Sequence, residues 1–289
     1  MSKRLFCFGL GYTAEVLARR LIGQGWQIAG TTRDPTKAEA LRRLGWEMHL
    51  FSREQSLADP AASLAGTTHL LHSIIPDEAG DPVADRHLPD LRALPSLEWF
   101  GWLGTTAVYG DRGGAWVDEE AELAPTVDRA RRRLEAERVW LASGLPVHLF
   151  RLAGIYGPGR NQLRDVLAGT ARRIVKSGQV FSRIHVEDIA TVLEASMARP
   201  RPGAVYNVCD DEPAPPQDVV AFAAELLGVQ PPPALDYATA QLSSMARSFY
   251  ADNRRVRNDR IKRELGVELA YPSYREGLRA LLAVERGAA

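Results

Sequence analysis

The chain has 289 residues, with 36 Lys and Arg balanced by 36 Asp and Glu, and 45% of it is hydrophobic. A formal charge of zero excludes an electrostatic case for nucleic-acid binding, and no apolar run is long enough to span a bilayer. Cys7 and Cys209 show neither a CxxC pair nor metal-ligand spacing, and Met1-Ser2-Lys3-Arg4 opens no signal-like segment, so the expectation is a cytoplasmic chain with no metal site.

In chain order, Arg4–Gly9 predicts a strand and Thr13–Gln24 a helix with Val16, Leu17, Leu21 and Ile22 on one stripe. Trp26–Thr31 is a second strand, and Pro35–Leu44 a helix with Asp34 as N-cap and Pro35 in its first turn. Strands at Glu47–Leu50, Thr68–Ile75, Leu97–Leu103 and Pro146–Leu152 alternate with helical segments at Asp85–Leu94 and Glu122–Ser143. Alternation at this pitch predicts an α/β fold: a Rossmann-type, doubly wound parallel sheet.

After Gly154, turn clusters such as Gly157-Pro158-Gly159 and Pro231 to Pro233 separate shorter elements. Helices are predicted at Val186–Ala198, Pro216–Leu227, Asn258–Leu265 and Tyr274–Val284. The reading is a dinucleotide-binding domain over residues 1–155. Residues 156–289 then form mainly a smaller substrate-side lobe, with segments near 180–210 returning to the sheet.

Gly9-Leu10-Gly11-Tyr12-Thr13-Ala14 joins the first strand to the first helix. Gly9 permits the tight turn, Gly11 lets backbone approach a pyrophosphate, and Ala14 is small enough for close helix packing. The helix opened by Tyr12 and Thr13 offers N–H groups to phosphates. An NAD site places an acidic residue at the end of the second strand, where this chain has Thr31-Thr32-Arg33-Asp34-Pro35-Thr36-Lys37. Thr32, Arg33, Lys37 and the following helix N-terminus can converge on a 2′-phosphate, which favours NADP(H) over NAD(H). Ser73, at the fourth strand, is placed with the cofactor residues.

Several segments in order resemble the extended short-chain dehydrogenase/reductase superfamily, which includes nucleotide-sugar epimerases and dehydratases. They are Thr105-Thr106-Ala107-Val108-Tyr109-Gly110, Phe150 to Gly159, Arg183 to Asp188, Val205-Tyr206-Asn207-Val208, Leu265-Gly266 and Tyr274 to Leu278. The resemblance implies that Thr105 stands where the superfamily hydrogen-bonds substrate oxygen. It also implies a Tyr-x-x-x-Lys in the helix of residues 125–140, where Arg129 and Arg133 stand instead. No tyrosine lies between Tyr109 and Tyr156, and none of Lys3, Lys37, Lys176 and Lys262 follows a tyrosine by four. Phe8 also replaces the first glycine of the superfamily's GxxGxxG. With Ser73-Ile74-Ile75-Pro76, Gly80-Asp81-Pro82 and Arg151 to Gly154, these departures resemble the YeeZ-type subgroup.

Arginine stays protonated and is a poor acid/base. Arg133 is therefore read as a ribose ligand, and Arg129 as an anion clamp or a surface residue. Tyr109, Asp111, His72 and Tyr156 are the nearest candidates for a replacement acid, and Tyr109 joins Thr105 as the catalytic pair. Ser248 to Arg255 suits an anionic or nucleotide-like small molecule, or lobe packing. Two functions stay open: an atypical NADP(H)-dependent oxidoreductase or epimerase-like enzyme on a small molecule, or a non-catalytic NADP(H)-binding sensor or scaffold. The sequence leaves a homodimer open as well.

Overall fold

The computed structural model describes residues 3–287, which divide into two units. The first contains the chain up to Thr105, then Asp128–Arg151 and Val192–Tyr206. The second contains Thr106–Val127, Leu152–Thr191 and the chain from Asn207 onward.

The first unit is built on a seven-stranded parallel sheet with strands β1 (Arg4–Phe8), β2 (Gln27–Thr32), β3 (Glu47–Leu50), β4 (His69–His72), β5 (Trp99–Thr105), β6 (Val147–Leu152) and β7 (Val205–Val208). Their order is β7-β6-β5-β4-β1-β2-β3, the doubly wound Rossmann arrangement expected from the strand–helix alternation. In register, Leu5 of β1 pairs with Ile28 of β2 on one side and His69 of β4 on the other. The order reverses between β1 and β4, so the helices leaving those strands part to opposite faces. A crevice opens at their carboxyl ends.

Helices α1 (Tyr12–Ile22), α2 (Pro35–Arg43), α3 (Pro60–Leu64), α4 (Pro82–Arg92) and α5 (Asp128–Leu141) belong to this unit. Three of them start on an aspartate followed by proline. Asp34, Asp59 and Asp81 each accept N–H bonds in the first turn, and proline at the first helical position lacks an N–H that would otherwise go unpaired. The buried face of α1 is Thr13, Ala14, Leu17, Ala18 and Leu21, whereas Ile22 of the expected stripe is 40% exposed. The core holds Phe6, Phe8, Leu70, Phe100, Trp102, Trp140 and Leu149. Burying each such side chain contributes about 1.5–3 kcal/mol.

Two boundaries differ from expectation for local reasons. Strand β4 ends at His72, leaving Ser73, Ile74 and Ile75 in the connection, where Pro76 favours extended backbone without ladder pairing. Helix α5 begins at Asp128, because Pro125 interrupts the segment read as helical from Glu122.

In the second unit, Gly154–Tyr156 pairs with Arg183–His185, Arg173–Val175 with Ala234–Asp236, and Trp116–Val117 with Arg255–Val256, all parallel. One core packs Tyr156, Leu163, Val219, Ala223, Tyr274, Leu278 and Leu281, and a smaller one packs Ile174, Ala240 and Tyr250. Among the described residues no helix is long and apolar enough to cross a membrane.

Candidate functional site: the carboxyl edge at β1, β2 and β4

The connection from β1 to α1 is a turn only glycine makes without strain. Gly9 has φ +82°, and a Cβ there would lie 2.8 Å from Ile74 Cγ1 and 2.9 Å from Ser73 Oγ. Its N–H donates to Thr31 Oγ1 at 2.8 Å, and Leu10 N donates to Thr31 O at 2.8 Å. The fully buried hydroxyl of Thr31 thus supports the turn by accepting from its backbone. Ser73 does the same from the other side: its Oγ donates to Gly9 O at 2.5 Å and its N–H to Phe8 O at 2.9 Å.

Gly11 is different. It is the N-cap of α1 with extended backbone that any residue adopts, and a Cβ there would meet nothing closer than Gly9 O at 4.0 Å. No packing inside the protein requires glycine at this position. A ligand approaching the backbone does, and α1 starts without a side-chain cap on its N–H groups. Thr13 and Ala14 are buried in the first turn, with Ala14 against the sheet as its size requires, while Tyr12 is half-buried beside them. The residues present fit a dinucleotide pyrophosphate.

The end of β2 is more restrictive than the sequence suggests. Arg33 is exposed, and no hydrogen bond or ion pair engages its guanidinium. Lys37, by contrast, forms an ion pair with Glu15 of α1. The N-terminus of α2 is occupied by Asp34, whose carboxylate accepts from Thr36 N at 2.8 Å and Lys37 N at 3.3 Å, and Thr32 Oγ1 accepts from Asp34 N at 3.2 Å. Among the described residues nothing engages the Arg33 guanidinium, while the Lys37 ammonium and the start of α2 are engaged by Glu15 and Asp34.

Past β4, Ile75 is 65% exposed at the same sheet edge, an apolar face that sequence reasoning had absorbed into the strand. The signal was Pro76, which marks the preceding residues as connection.

On the other side of the switch point, Thr105 closes β5 half-buried. Arg133, on α5, donates to Leu103 O at 2.8 Å and stands 6.0 Å over the Trp102 ring. Burial lowers its pKa to about 10, so it remains a cation at neutral pH.

Tyr109 lies in the second unit, in the short helical turn Thr106–Tyr109 that follows β5. Its side chain is fully buried and its hydroxyl donates to Asn207 Oδ1 at 2.7 Å. The hydroxyl expected to serve as an acid is thus held inside the second unit on an amide oxygen. The other candidates are similarly engaged. Asp111 accepts from Asn253 N and Gly113 N. The Tyr156 hydroxyl donates to Ser273 O at 3.3 Å, with burial holding its pKa above the ordinary value. In the first unit, His72 is fully buried against Asp81. Among the described residues no group of three His, Cys, Asp or Glu side chains is arranged to hold a metal ion.

Comparison with known proteins agrees with this layout. No family model matches the chain. A solved structure of a functionally unknown conserved protein from Silicibacter pomeroyi is 57% identical over 98% of this chain and 99% of that one, with a TM-score of 0.88. The chain is 29% identical to the protein YeeZ of Escherichia coli K12, over 93% of its own length and 97% of YeeZ. The fold of a Bacillus anthracis dTDP-glucose 4,6-dehydratase, solved with NAD, superposes with a TM-score of 0.78 over 99% of this chain and 97% of that one, at 17% identity. The chain shares the Rossmann fold of these proteins and resembles the extended short-chain dehydrogenase/reductase superfamily. A further superfamily-like relative, a 3-diazoavenalumate denitrifying reductase from Streptomyces, is 32% identical over 58% of this chain and 59% of its own.

Proposed function

We propose that the carboxyl edge at β1, β2 and β4 binds NADP(H), and that the chain is an oxidoreductase or epimerase-like enzyme acting on a small molecule. The observation that carries the reading is Gly11: glycine where the protein has room for a side chain, at the uncapped start of α1. The unengaged guanidinium of Arg33 at the end of β2 favours a 2′-phosphate over a free ribose hydroxyl. The dehydratase of like fold was solved with NAD and the Streptomyces relative is named a reductase, which supports a nicotinamide reaction.

The cofactor would supply hydride transfer at its nicotinamide. From this chain, Gly9, Gly11 and the first turn of α1 hold the pyrophosphate, Arg33 selects the nucleotide, and Thr105 hydrogen-bonds the substrate oxygen. Arg133 sits where the superfamily's lysine would hold the nicotinamide ribose. It stabilises negative charge without exchanging a proton.

A second reading has its own support. Tyr109 is buried on Asn207 and Arg133 is engaged by Leu103 O, so the residues nearest the lost Tyr-x-x-x-Lys are used structurally. That suits a non-catalytic NADP(H)-binding sensor or scaffold. Titrating NADPH and NADH separately tests the shared part: a stabilisation of about 2.7 kcal/mol is expected for NADPH at 100 times its Kd, with a smaller shift for NADH. Following nicotinamide absorbance over a panel of carbonyl compounds, with product analysis for nucleotide sugars, separates the two readings. Turnover abolished by Thr105→Ala supports the enzyme, and turnover that survives it removes Thr105 from the mechanism.

A further inference from the structure

Beneath the Gly9 turn lies a buried polar chain that the cofactor reading does not use. His72, the last residue of β4, is fully buried, and its Nε2 stands 2.9 Å from both carboxylate oxygens of Asp81. Asp81 is 3% exposed and is the N-cap of α4, accepting from Val83 N at 2.9 Å and Ala84 N at 3.2 Å. Trp140 of α5 donates its indole N–H to the same carboxylate at 2.9 Å. On the far side of the imidazole, His72 Nδ1 accepts the backbone N–H of Ile74 at 3.2 Å.

These contacts assign the ring proton. A carboxylate accepts only, so Nε2 must carry the hydrogen, and an N–H facing Nδ1 requires that nitrogen to be bare. Asp81 therefore sets the tautomer of His72, and the tautomer decides whether Ile74 is held. Ile74 and Ser73 are the two side chains that would meet a Cβ on Gly9, and Ser73 Oγ is bonded to Gly9 O.

We propose that Trp140, Asp81 and His72 form a positioning relay that fixes Ser73–Ile74 against the Gly9 turn and so sets dinucleotide affinity from beneath the site. The proposal rests on the NADP(H) reading. None of the three touches the ligand; they act through the turn that does.

The test uses the full chain and two readouts. Nitrogen NMR of histidine-labelled protein is expected to show the His72 ring proton on Nε2 and a bare Nδ1. Asp81→Asn keeps an amide oxygen to cap α4, but its NH2 replaces the oxygen that accepts from Trp140 and one of the two that face His72 Nε2, so the relay loses its Trp140 link and half of its acceptor for the ring proton. NADPH is then expected to bind about tenfold more weakly, the scale of one buried polar group left unpaired. His72→Phe, which keeps a ring and loses the acceptor, should weaken NADPH to a similar degree. A packing role alone would lower the melting temperature of both variants without weakening NADPH.

A proton on Nδ1 in the unaltered chain overturns the relay, as does an unchanged NADPH affinity in Asp81→Asn. If Asp81→Asn does not fold, the tautomer and His72→Phe decide. An unaltered chain that binds no NADPH while showing the Nε2 proton overturns the cofactor reading itself, an outcome distinct from failure of the relay.

Discussion

The Gly9–Gly11 turn and the inner face of α5 serve the same edge of one parallel sheet, and they have fared differently. At the turn every feature needed for a pyrophosphate is present: a positive φ at Gly9, open space at Gly11, a small Ala14 and an uncapped helix. On α5 Arg129 and Arg133 stand where the resemblance expects a tyrosine and a lysine, and Arg133 donates to Leu103 O. The turn recognises its ligand with backbone N–H groups, which survive any side-chain exchange that leaves the glycines alone. The α5 face works through two side chains, and a substitution at either removes the chemistry. Cofactor binding and reaction type are therefore separable properties of this fold.

The comparison breaks most directly at Gly11. Gly11→Ala places a methyl in space the protein leaves open, so the fold should melt within a degree or two of the unaltered chain. NADPH affinity should fall about a hundredfold, because the methyl stands where the pyrophosphate meets backbone. Calorimetric titration beside a melting curve reads both. A variant that melts early and binds normally would make Gly11 a folding residue and leave the turn without a ligand.

The support under the turn can be read by acid. Burial alone would raise the Asp81 carboxyl, but the bonds it accepts from His72, Trp140 and the start of α4 hold it below its ordinary value. A carboxylate with a depressed folded pKa contributes stability above its unfolded pKa, and that contribution is lost as pH falls through the folded value. Unfolding free energy should therefore drop as pH falls below ~4 on this account. Asp81→Asn should flatten that part of the profile. An unchanged acid limb would remove Asp81 as the titrating support.

Selectivity comes next in size. Arg33→Ala should weaken NADPH about tenfold and leave NADH nearly unchanged, because a charge-assisted contact to a 2′-phosphate has no counterpart on a ribose hydroxyl. Equal losses for both cofactors would move Arg33 from nucleotide selection to the fold. Lys37→Ala is the informative partner: its ammonium is already paired with Glu15, so the NADPH loss should be smaller than for Arg33.

These features were unequally legible in the sequence. The sheet was readable because a turn signal bounds each apolar run, and three helix starts carry an Asp-Pro that fixes cap and first turn together. Gly9 and Gly11 were readable because local chain geometry is what glycine encodes. Engagement was not readable. That Lys37 pairs with Glu15 and that Trp140 reaches Asp81 across 59 positions are facts of tertiary packing. The excursion of Thr106–Val127 into the second unit likewise has no periodic or compositional mark. Tyr109 shows the cost of reading position alone: it follows a strand at the ligand-binding edge, yet its hydroxyl points into a core.

The smallest expected effect concerns that tyrosine and sharpens the contrast from the chemical side. Tyr109→Phe keeps the ring that fills the second unit and removes only the hydroxyl bond to Asn207. The loss should be about 1 kcal/mol of stability, the net worth of one buried hydrogen bond, with the Asn207 amide oxygen left to find another donor. Any turnover found for the chain should be unchanged, in kcat as in KM, since the hydroxyl never reaches substrate. Were kcat instead to collapse while stability held, the buried hydroxyl would have to emerge during the reaction. The α5 face would then have been replaced by a tyrosine from the second unit and not simply lost. Measuring both quantities on one preparation decides between a chain that moved its acid and one that dispensed with it.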